Sequence, residues 1–363
     1  MEQMDFLVCA RCFTYNHAPY IEDEMNGFCM QQTHFPYVCV IVDDASTDGE
    51  SEVIKNYLQT HFDLDNKAVV RNEGTDDFVL TFAQHKDNKN CFFAVYYLKY
   101  NHYSIKKNKF PYFTEFYDGV KYHALCEGDD YWINPQKLQM QVDFLDTHED
   151  VGICYTNFNI LYDDCQKQKI ALFTSEPHKY PKYYDSPEEF IYRAGYVCPP
   201  SWMIRKTTLQ KESNDIVDSL DGSFVSFAYY MATSKVYCVD EVTTVYRVIS
   251  ESASHSTSPE KLYRRARNLL ETKIELINKL DLDRNYVDLC KKKYYKDHLF
   301  FFIVNDKKNE MDELLKELNE FTAIEKIIIQ ISKSKYGIRF IKWCYYFAKN
   351  HNFQRASYHF ANK

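Results

Sequence analysis

Glycine is scarce in this sequence, and its few glycine residues form no recognisable phosphate-binding loop. Only 9 of the 363 residues are glycine, and neither GxxxxGKS, GxxxxGKT nor GxGxxG occurs. The sequence therefore predicts neither a P-loop nor a dinucleotide fingerprint. It also lacks a GxSxG elbow and an HExxH motif, which argues against a hydrolase nucleophile or a zincin site. A phosphate-bearing ligand would have to be held by other groups.

Long apolar runs and paired metal-type cysteines are also missing. The longest apolar runs, such as Leu299 to Val304, are far too short to span a bilayer, and no signal peptide is recognisable. The 12 cysteines include one CxxC, at Cys9 and Cys12, without a second pair at zinc spacing. We therefore favour reduced core thiols over a metal or redox site, and we expect a cytoplasmic protein.

Charge is distributed unevenly along the chain. The net charge is -8, but residues 321–363 alone carry +7 and the rest carries -15. We expect no nucleic-acid partner for this acidic chain, whereas its basic end indicates a different partner or surface. The 45% hydrophobic content is sufficient for a large core.

The first half of the chain alternates strand-like and helix-like patterns. The predicted strands are 6–13, 37–42, 91–100, 121–126 and 151–155, and the predicted helices are 19–30, 51–58 and 135–145. For the last helix we expect Asn134 as the N-cap and Pro135 in the first turn. Residues 61–90 are interpreted as a loop or irregular insertion. The succession predicts an α/β domain with an open, mostly parallel sheet.

Beyond residue 250 the pattern becomes helical. We predict helices at about 258–280, 286–304, 310–321 and 336–348. The predicted organisation is an α/β domain at 1–255 and a helical, basic C-terminal region at 256–363.

Two predicted strands end in clusters of acidic residues. One cluster is Asp43, Asp44 and Asp48, and the other is Glu127, Asp129 and Asp130. Ligands of open α/β sheets bind at the carboxyl ends of the strands, and a hard cation such as Mg²⁺ or Mn²⁺ would relieve the repulsion. Helix capping is an equal alternative for Asp48 but a weaker one for Asp129 and Asp130, since Asn134 suits the next helix.

Two sequence blocks carry a resemblance to a known family. They are CFTYNHAPYIEDEMNGFCMQQTHFPYVCVIVDDASTDGE at 12–50 and ALCEGDDYWINPQKLQMQVDFL at 124–145. Together they resemble the family 2 glycosyltransferases, especially bacterial members that build capsular and other surface polysaccharides. The resemblance covers about residues 5–250, except 61–90. It implies a GT-A fold and transfer of a sugar, with inversion, from a nucleotide diphosphate sugar.

The resemblance also implies roles for individual residues. Those expected around the nucleotide are Thr14, Tyr15 and Asn16, with Tyr15 near the base, and Asp43 and Asp44 by the uracil and ribose. Glu127 and Asp129 occupy the acidic places of the DxD motif. Asp129 would hold Mn²⁺ or Mg²⁺ on the diphosphate, and Asp130 would support the site. For Tyr15 the alternative is a core aromatic residue.

The position of the general base departs from the family pattern. That place falls on Ser223, and we therefore select Asp221, with Asp218 behind it, as the candidate base. A helix N-cap is an equal alternative for Asp221. The family histidine after the Tyr-Arg pair is Ile249 here, with His255 six residues later.

The residues that would bind the acceptor are the part of the predicted site that the sequence constrains least. Trp132, Trp202 and Arg205 are candidates for binding a glycan or lipid-linked acceptor, with core or rim packing as an equal alternative. The aromatic and basic segment 336–360 is typical of a helix that lies on an anionic membrane surface, at the inner face of the cell membrane. Packing of this helix on the catalytic domain is the other interpretation.

Three hypotheses follow. The leading one is a metal-dependent inverting glycosyltransferase, with a donor expected to be UDP-linked, acting in surface polysaccharide synthesis. A GT-A-like domain that binds a nucleotide sugar or glycan without turnover is the alternative, motivated by Ser223 and Ile249. A nucleotidyltransferase is the third. The sequence specifies neither the sugar, the acceptor, the linkage nor the oligomeric state.

Overall fold

The computed structural model describes residues 5–212, 217–249, 259–317 and 321–350. These residues divide into two compact units. The first contains residues 5–212 and 221–249, and the second contains residues 217–220, 259–317 and 321–350. Each unit is described by itself below.

The first unit is built on one large sheet. Its strands are β1 (Val8–Thr14), β2 (Tyr37–Asp43), β3 (Arg71–Gly74), β4 (Phe78–Gln84), β5 (Cys91–Leu98), β6 (Tyr122–Leu125), β7 (Tyr131–Trp132), β8 (Val151–Tyr162), β9 (Lys167–Lys169), β10 (Met203–Arg205) and β11 (Lys235–Val248). Its helices are α1 (Ile21–Cys29), α2 (Glu50–His61), α3 (Thr114–Tyr117), α4 (Lys137–Thr147), α5 (Leu172–Ser175), α6 (Pro187–Arg193), α7 (Lys206–Glu212) and α8 (Gly222–Thr233).

The sheet is parallel at its centre and mixed towards both edges. The strand order is β3-β4-β5-β2-β1-β6-β10-β8-β11-β7, and β9 pairs with β8. Strands β5, β2, β1 and β6 are all parallel to their neighbours in this group. β10 lies antiparallel between β6 and β8. The mixed α/β sheet confirms the predicted fold class, with antiparallel flanks that the sequence did not predict.

The central strands are buried because their sequences are apolar throughout. All seven residues of β2 are buried, as a strand covered on both faces requires. Their side chains divide between two clusters, one on each face: Cys39 and Ile41 lie in one, and Val38, Val40 and Val42 lie in the other. This rigid centre fixes the strand ends that carry the acidic residues.

The segment 61–90, interpreted as a loop, contains two strands. β4 pairs antiparallel with β5 and with β3 and so extends the sheet. The physical reason is a short period-two pattern: Leu80 and Phe82 are buried, whereas Val79 is 42% exposed. The polar surroundings of this pattern masked the alternation.

Helix α4 begins later than the predicted N-cap. Its N-cap is Gln136, while the Asn134 side chain accepts a hydrogen bond from the Gln136 amide at 2.8 Å. Asn134 therefore shapes the turn before the helix, and the N-cap prediction was wrong by two residues.

The second unit is helical. It comprises α9 (Pro259–Lys279), α10 (Asn285–Val304), α11 (Lys308–Glu317), α12 (Ala323–Ser332) and α13 (Lys335–Asn350). Its core contains Leu299, Phe302, Leu314, Ile329 and Ile341. Among the helices in the described part of the chain, none is long and apolar enough to cross a membrane.

Replacement of Gly27 by alanine tests the packing of α1 on β7. A Cβ atom at Gly27 would lie 2.8 Å from the Trp132 backbone nitrogen and 2.9 Å from its carbonyl oxygen. Backbone atoms cannot relieve this overlap by a change of rotamer. We therefore expect Gly27→Ala to lower the free energy of unfolding by about 1–3 kcal/mol in urea titrations. Gly222→Ala is the control, because a Cβ atom added there would meet no atom of another part of the chain within 4 Å. Equal stability of the two variants would contradict the packing.

Candidate active site

The candidate site lies where three neighbouring parallel strands end. β1 is the middle strand, with Thr14 beside Asp43 of β2 and Arg11 beside Leu125 of β6. The chain after β6 stays close to β1, since the Cys126 amide donates to the Arg11 carbonyl at 3.0 Å. The loops after β1, β2 and β6 therefore share one edge of the sheet, as predicted.

Glu50 joins the first two loops. Its buried carboxylate accepts hydrogen bonds from the Thr14 hydroxyl, from the His17 amide at 2.8 Å and from the Ser46 hydroxyl at 2.8 Å. Burial raises the pKa of Glu50, while these donors oppose the shift. Sequence reasoning missed Glu50, although its place at the start of α2 brings it opposite the loop after β1.

Asp48 adds to the same junction. Its carboxylate accepts the Ala18 amide at 2.9 Å and the Glu50 amide at 3.1 Å. The second bond is the local, cap-like contact considered from the sequence. Asn16, with φ of 58°, completes the junction by accepting the Thr47 amide at 2.8 Å.

Asp43 and Asp44, expected by the uracil and ribose, are both buried by internal contacts. Asp43 accepts bonds from the Ser46 amide and the Ser51 hydroxyl. Asp44 accepts the His102 and Tyr103 amides at 2.7 and 3.0 Å and pairs with Lys109 at 2.9 Å. In this structure the two carboxylates fasten loops together, and their exposed fractions are 0% and 2%.

Tyr15 is not a core aromatic residue. Its side chain is 43% exposed at the end of β1. The neighbouring backbone is closely packed, because a Cβ at Gly128 would overlap the Thr14 side chain and lie 3.1 Å from the His17 ring. Because residue 128 is glycine, the loop of residues 127–130, called the acidic loop below, can approach the loop that presents Tyr15.

Glu127 has a positive partner within the protein. Its carboxylate accepts the Phe13 amide at 3.0 Å and lies 3.8 Å from the Arg11 guanidinium. Burial raises the pKa of Glu127, and the Arg11 charge opposes that rise. The side chain remains 40% exposed. Glu127 is therefore anchored on one side and open on the other.

Asp130 is satisfied in a different way. It is buried and accepts the Arg247 amide of β11 at 2.8 Å. Burial, followed by the negative charge of Asp129, holds the pKa of Asp130 well above its usual range. The residue thus ties the acidic loop to β11, and its role in supporting a donor site stays a prediction.

Asp129 differs from its neighbours. It is partly exposed, and no hydrogen bond or ion pair joins its carboxylate to another described residue. Within the described ranges, no group of three or more His, Cys, Asp or Glu side chains is arranged to hold a metal ion. A divalent cation at Asp129 would therefore take its remaining oxygen ligands from a bound molecule or water, as Mg²⁺ usually does in phosphate sites.

Arg247, the arginine of the Tyr-Arg pair, is a second residue, after Glu50, whose contacts sequence reasoning missed. Its guanidinium pairs with Asp23 at 2.7 Å and lies over the rings of Tyr20 and Tyr131, at 4.5 and 5.1 Å. Tyr20 in turn donates to Asp163 at 2.9 Å. This network fixes α1 and β11 beside the acidic loop.

Asp221 caps helix α8. Its carboxylate accepts the Phe224 amide at 3.1 Å and the Ser223 hydroxyl at 2.9 Å. The N-cap alternative is therefore present in the structure, and the role of Asp221 as a base stays a prediction. Ile249 ends the described part of this segment, and His255 lies outside the described residues.

The three acceptor candidates occupy packed positions. Trp132 and Trp202 are each 1% exposed, and Trp132 donates to the Pro200 carbonyl at 2.9 Å. Arg205 donates to the carbonyls of Val151 and Leu145, at 3.1 and 2.8 Å. These contacts correspond to the packing alternative, because neither indole offers a surface on which a sugar ring could stack.

Known proteins match both the sequence and the fold. The model of glycosyl transferase family 2 matches residues 13–78. An uncharacterized protein of Mycobacterium tuberculosis is 30% identical over 154 residues, which are 42% of this chain and 36% of the relative. An uncharacterized Mycobacterium bovis protein matches to the same extent. The chain thus spans about a third of the length of these curated relatives.

The solved structures of S. aureus TarS 1-349 are similar in fold. The complex with UDP has a TM-score of 0.52 at 15% identity, and the complex with UDP-GlcNAc has 0.51 at 16%. Each comparison covers 94% of this chain and 92% of the TarS chain. These structural matches confirm the predicted GT-A type fold, and over residues 13–78 the family model confirms the resemblance to family 2 glycosyltransferases.

Replacement of Glu50 tests the junction of the first two loops. Glu50→Ala removes both accepting oxygens, so the Thr14, His17 and Ser46 donors all lose this partner. We expect the His17 amide to exchange with solvent deuterium about tenfold faster, as the loss of ~1.5 kcal/mol implies. Glu52→Ala is the matched control on the same helix, because that side chain is 70% exposed. Unchanged exchange in Glu50→Ala would contradict the junction.

Proposed function

We propose that this chain transfers a sugar from a nucleotide diphosphate sugar to a glycan or lipid-linked acceptor, with inversion at the anomeric carbon. The observation that carries the proposal is the state of the three acids after β6. Arg11 lies beside Glu127 and the Arg247 amide donates to Asp130, whereas Asp129 has no hydrogen-bond or ion-pair partner among the described residues. One available carboxylate beside an exposed aromatic ring suits a nucleotide whose diphosphate carries a metal ion.

The donor would lie across the ends of β1, β2 and β6. Tyr15 offers an exposed ring for the base, and the Thr14 to Ala18 backbone is held in place by Glu50 and Asp48. Asp43 and Asp44 support the nucleotide indirectly, by fixing the loops around it. TarS has been solved with UDP and with UDP-GlcNAc, which makes a UDP-linked donor the first to test.

Asp129 would hold Mn²⁺ or Mg²⁺, and Glu127 would lie close enough to assist through its open side. Such an ion stabilises the negative charge that accumulates on the diphosphate as the glycosidic bond breaks. The Arg11 charge opposes the rise in the pKa of Glu127, and Asp130 holds the loop against β11. The protein's own contribution is thus a loop whose acids Glu127 and Asp130 are already held in place by hydrogen bonds and an ion pair.

Asp221 is the proposed general base. An inverting transfer needs a group that takes the acceptor proton on the face opposite the diphosphate. Asp221 stands at the head of α8, where capping holds its carboxylate in a defined orientation. The same capping bonds support the alternative function, a nucleotide-sugar or glycan-binding protein without turnover. Capping alone would account for an aspartate at this position, so its presence does not require a catalytic role. Surface polysaccharide synthesis and a cytoplasmic location remain part of the proposal.

Asp129→Asn tests the donor and metal site. With a panel of nucleotide sugars and Mn²⁺, we expect the wild-type chain to release the nucleoside diphosphate, and chelation to stop this release. In Asp129→Asn, metal-dependent binding of UDP should weaken by at least about tenfold in titration calorimetry. Asp143→Asn, exposed on α4, is the matched control. Equal metal-dependent binding in both variants would contradict the assignment.

The pair Asp221→Asn and Asp221→Ala separates the base from the cap. Asparagine caps a helix as well as aspartate does but cannot accept the proton, whereas alanine does neither. If Asp221 is the base, both variants should lose transfer by about 10²–10⁴-fold with donor binding retained. Full activity in Asp221→Asn would show that Asp221 caps the helix and is not the base. Metal-dependent binding by the wild type without any release would favour the binding protein, and pyrophosphate release would indicate a nucleotidyltransferase.

A further inference from the structure

Helix α13 presents an aromatic row on the surface of the second unit. Tyr336, Phe340 and Trp343 are 82%, 57% and 61% exposed. Their spacing of four and three residues places them on one face of the helix. Exposed aromatic residues in such a row are unusual for a helix whose other side already contributes Ile341 to a core.

A basic row runs beside the aromatic one. Lys335, Arg339 and Lys342 repeat the same spacing one residue earlier, so they flank the aromatic face along its length. Lys335 and Arg339 are exposed and Lys342 is partly exposed. None of the three forms an ion pair with another residue in the described ranges.

Helix α12, which packs against α13, also exposes apolar residues. Ile324 and Ile327 are 70% and 57% exposed, whereas Ile329 of the same helix is buried in the core of the unit. The two helices meet closely, since a Cβ at Gly337 would overlap the Ile331 carbonyl oxygen. The structure thus has two adjacent helices that each turn one apolar side inward and a second one outward.

We propose that this face of α12 and α13 binds the surface of an anionic lipid bilayer. Charge selects this occupant: residues 321–363 carry +7, and the row beside the aromatic residues has no acidic partner in the described structure. Aromatic rings insert at the boundary of headgroups and acyl chains, while Lys and Arg reach the lipid phosphates. A second copy that met this face through its own α12 and α13 would present the same positive row and would be repelled. The inference does not depend on transferase activity.

Tryptophan fluorescence offers a selective probe of this contact. The chain has 3 tryptophans, of which Trp132 and Trp202 are buried at 1% exposure and Trp343 is exposed. We expect the full chain to bind vesicles of phosphatidylcholine containing about one third phosphatidylglycerol, and not vesicles of phosphatidylcholine alone. Lipids brominated in the acyl chain should quench Trp343, and Trp343→Phe should bind equally well without the quenching.

Charge and apolar variants separate the two components. Arg339→Gln with Lys342→Gln should weaken vesicle binding by about 25-fold, at about fivefold for each basic residue removed. The matched control is Lys292→Gln with Lys296→Gln, two exposed lysines of α10, which should bind like the wild type. Tyr336→Ser with Phe340→Ser should abolish the quenching, whereas Tyr103→Ser, 79% exposed in the first unit, should not. Circular dichroism checks that each variant is folded.

The proposal is overturned by any of three results. They are absence of binding to the anionic vesicles, equal loss in the α10 control, and binding without quenching of Trp343, which would indicate adsorption of charge alone. Concentration-dependent dimerisation that the Tyr336 and Phe340 changes abolish, without vesicle binding, would assign the face to a second copy. Because nucleotide binding is measured separately, failure of this proposal and failure of the transferase proposal are distinguishable.

Discussion

The structure around the candidate site depends on how three neighbouring carboxylates are compensated. Glu127, Asp129 and Asp130 follow a buried strand, where like charges repel and each resists desolvation. Arg11 lies beside Glu127, and the Arg247 amide binds Asp130. Asp129 receives no such partner among the described residues. The protein therefore compensates two of the acids itself, and the third is the one that we propose binds a ligand.

Hydrogen bonds and ion pairs within the chain also hold the loops around these acids in place. Glu50, Asp48 and Asp44 are acidic residues whose oxygens are occupied by hydroxyl, amide and ammonium donors of the chain. They hold the backbone beside Tyr15 without a glycine-rich loop. Preorganisation of this kind is what electrostatic catalysis requires, because the groups do not have to reorient during the reaction.

Much of the fold could be predicted, and so could the meeting of the acidic strand ends at one edge of the sheet, because the signals are local. Apolar runs that end in acids predict parallel strands with a site at their carboxyl ends, and β1, β2 and β6 have this arrangement. The contacts that hold the loops together could not be predicted, because their partners are far apart in the sequence. Asp44 and Lys109, for example, are separated by 65 residues. For Trp132 and Trp202 the sequence left core packing and acceptor binding as equal alternatives, because the identity of a tryptophan does not show whether its ring is covered; in the structure both rings are buried.

The central claim is that Asp129 is the acid reserved for a metal-bound nucleotide. The most direct measurement is anomalous diffraction from crystals of the full chain soaked with Mn²⁺ and UDP. The account predicts a manganese peak within coordination distance of the Asp129 carboxylate, with the uracil ring beside Tyr15. A nucleotide bound at this edge with manganese on other side chains, such as Asp43 and Asp44, would contradict it.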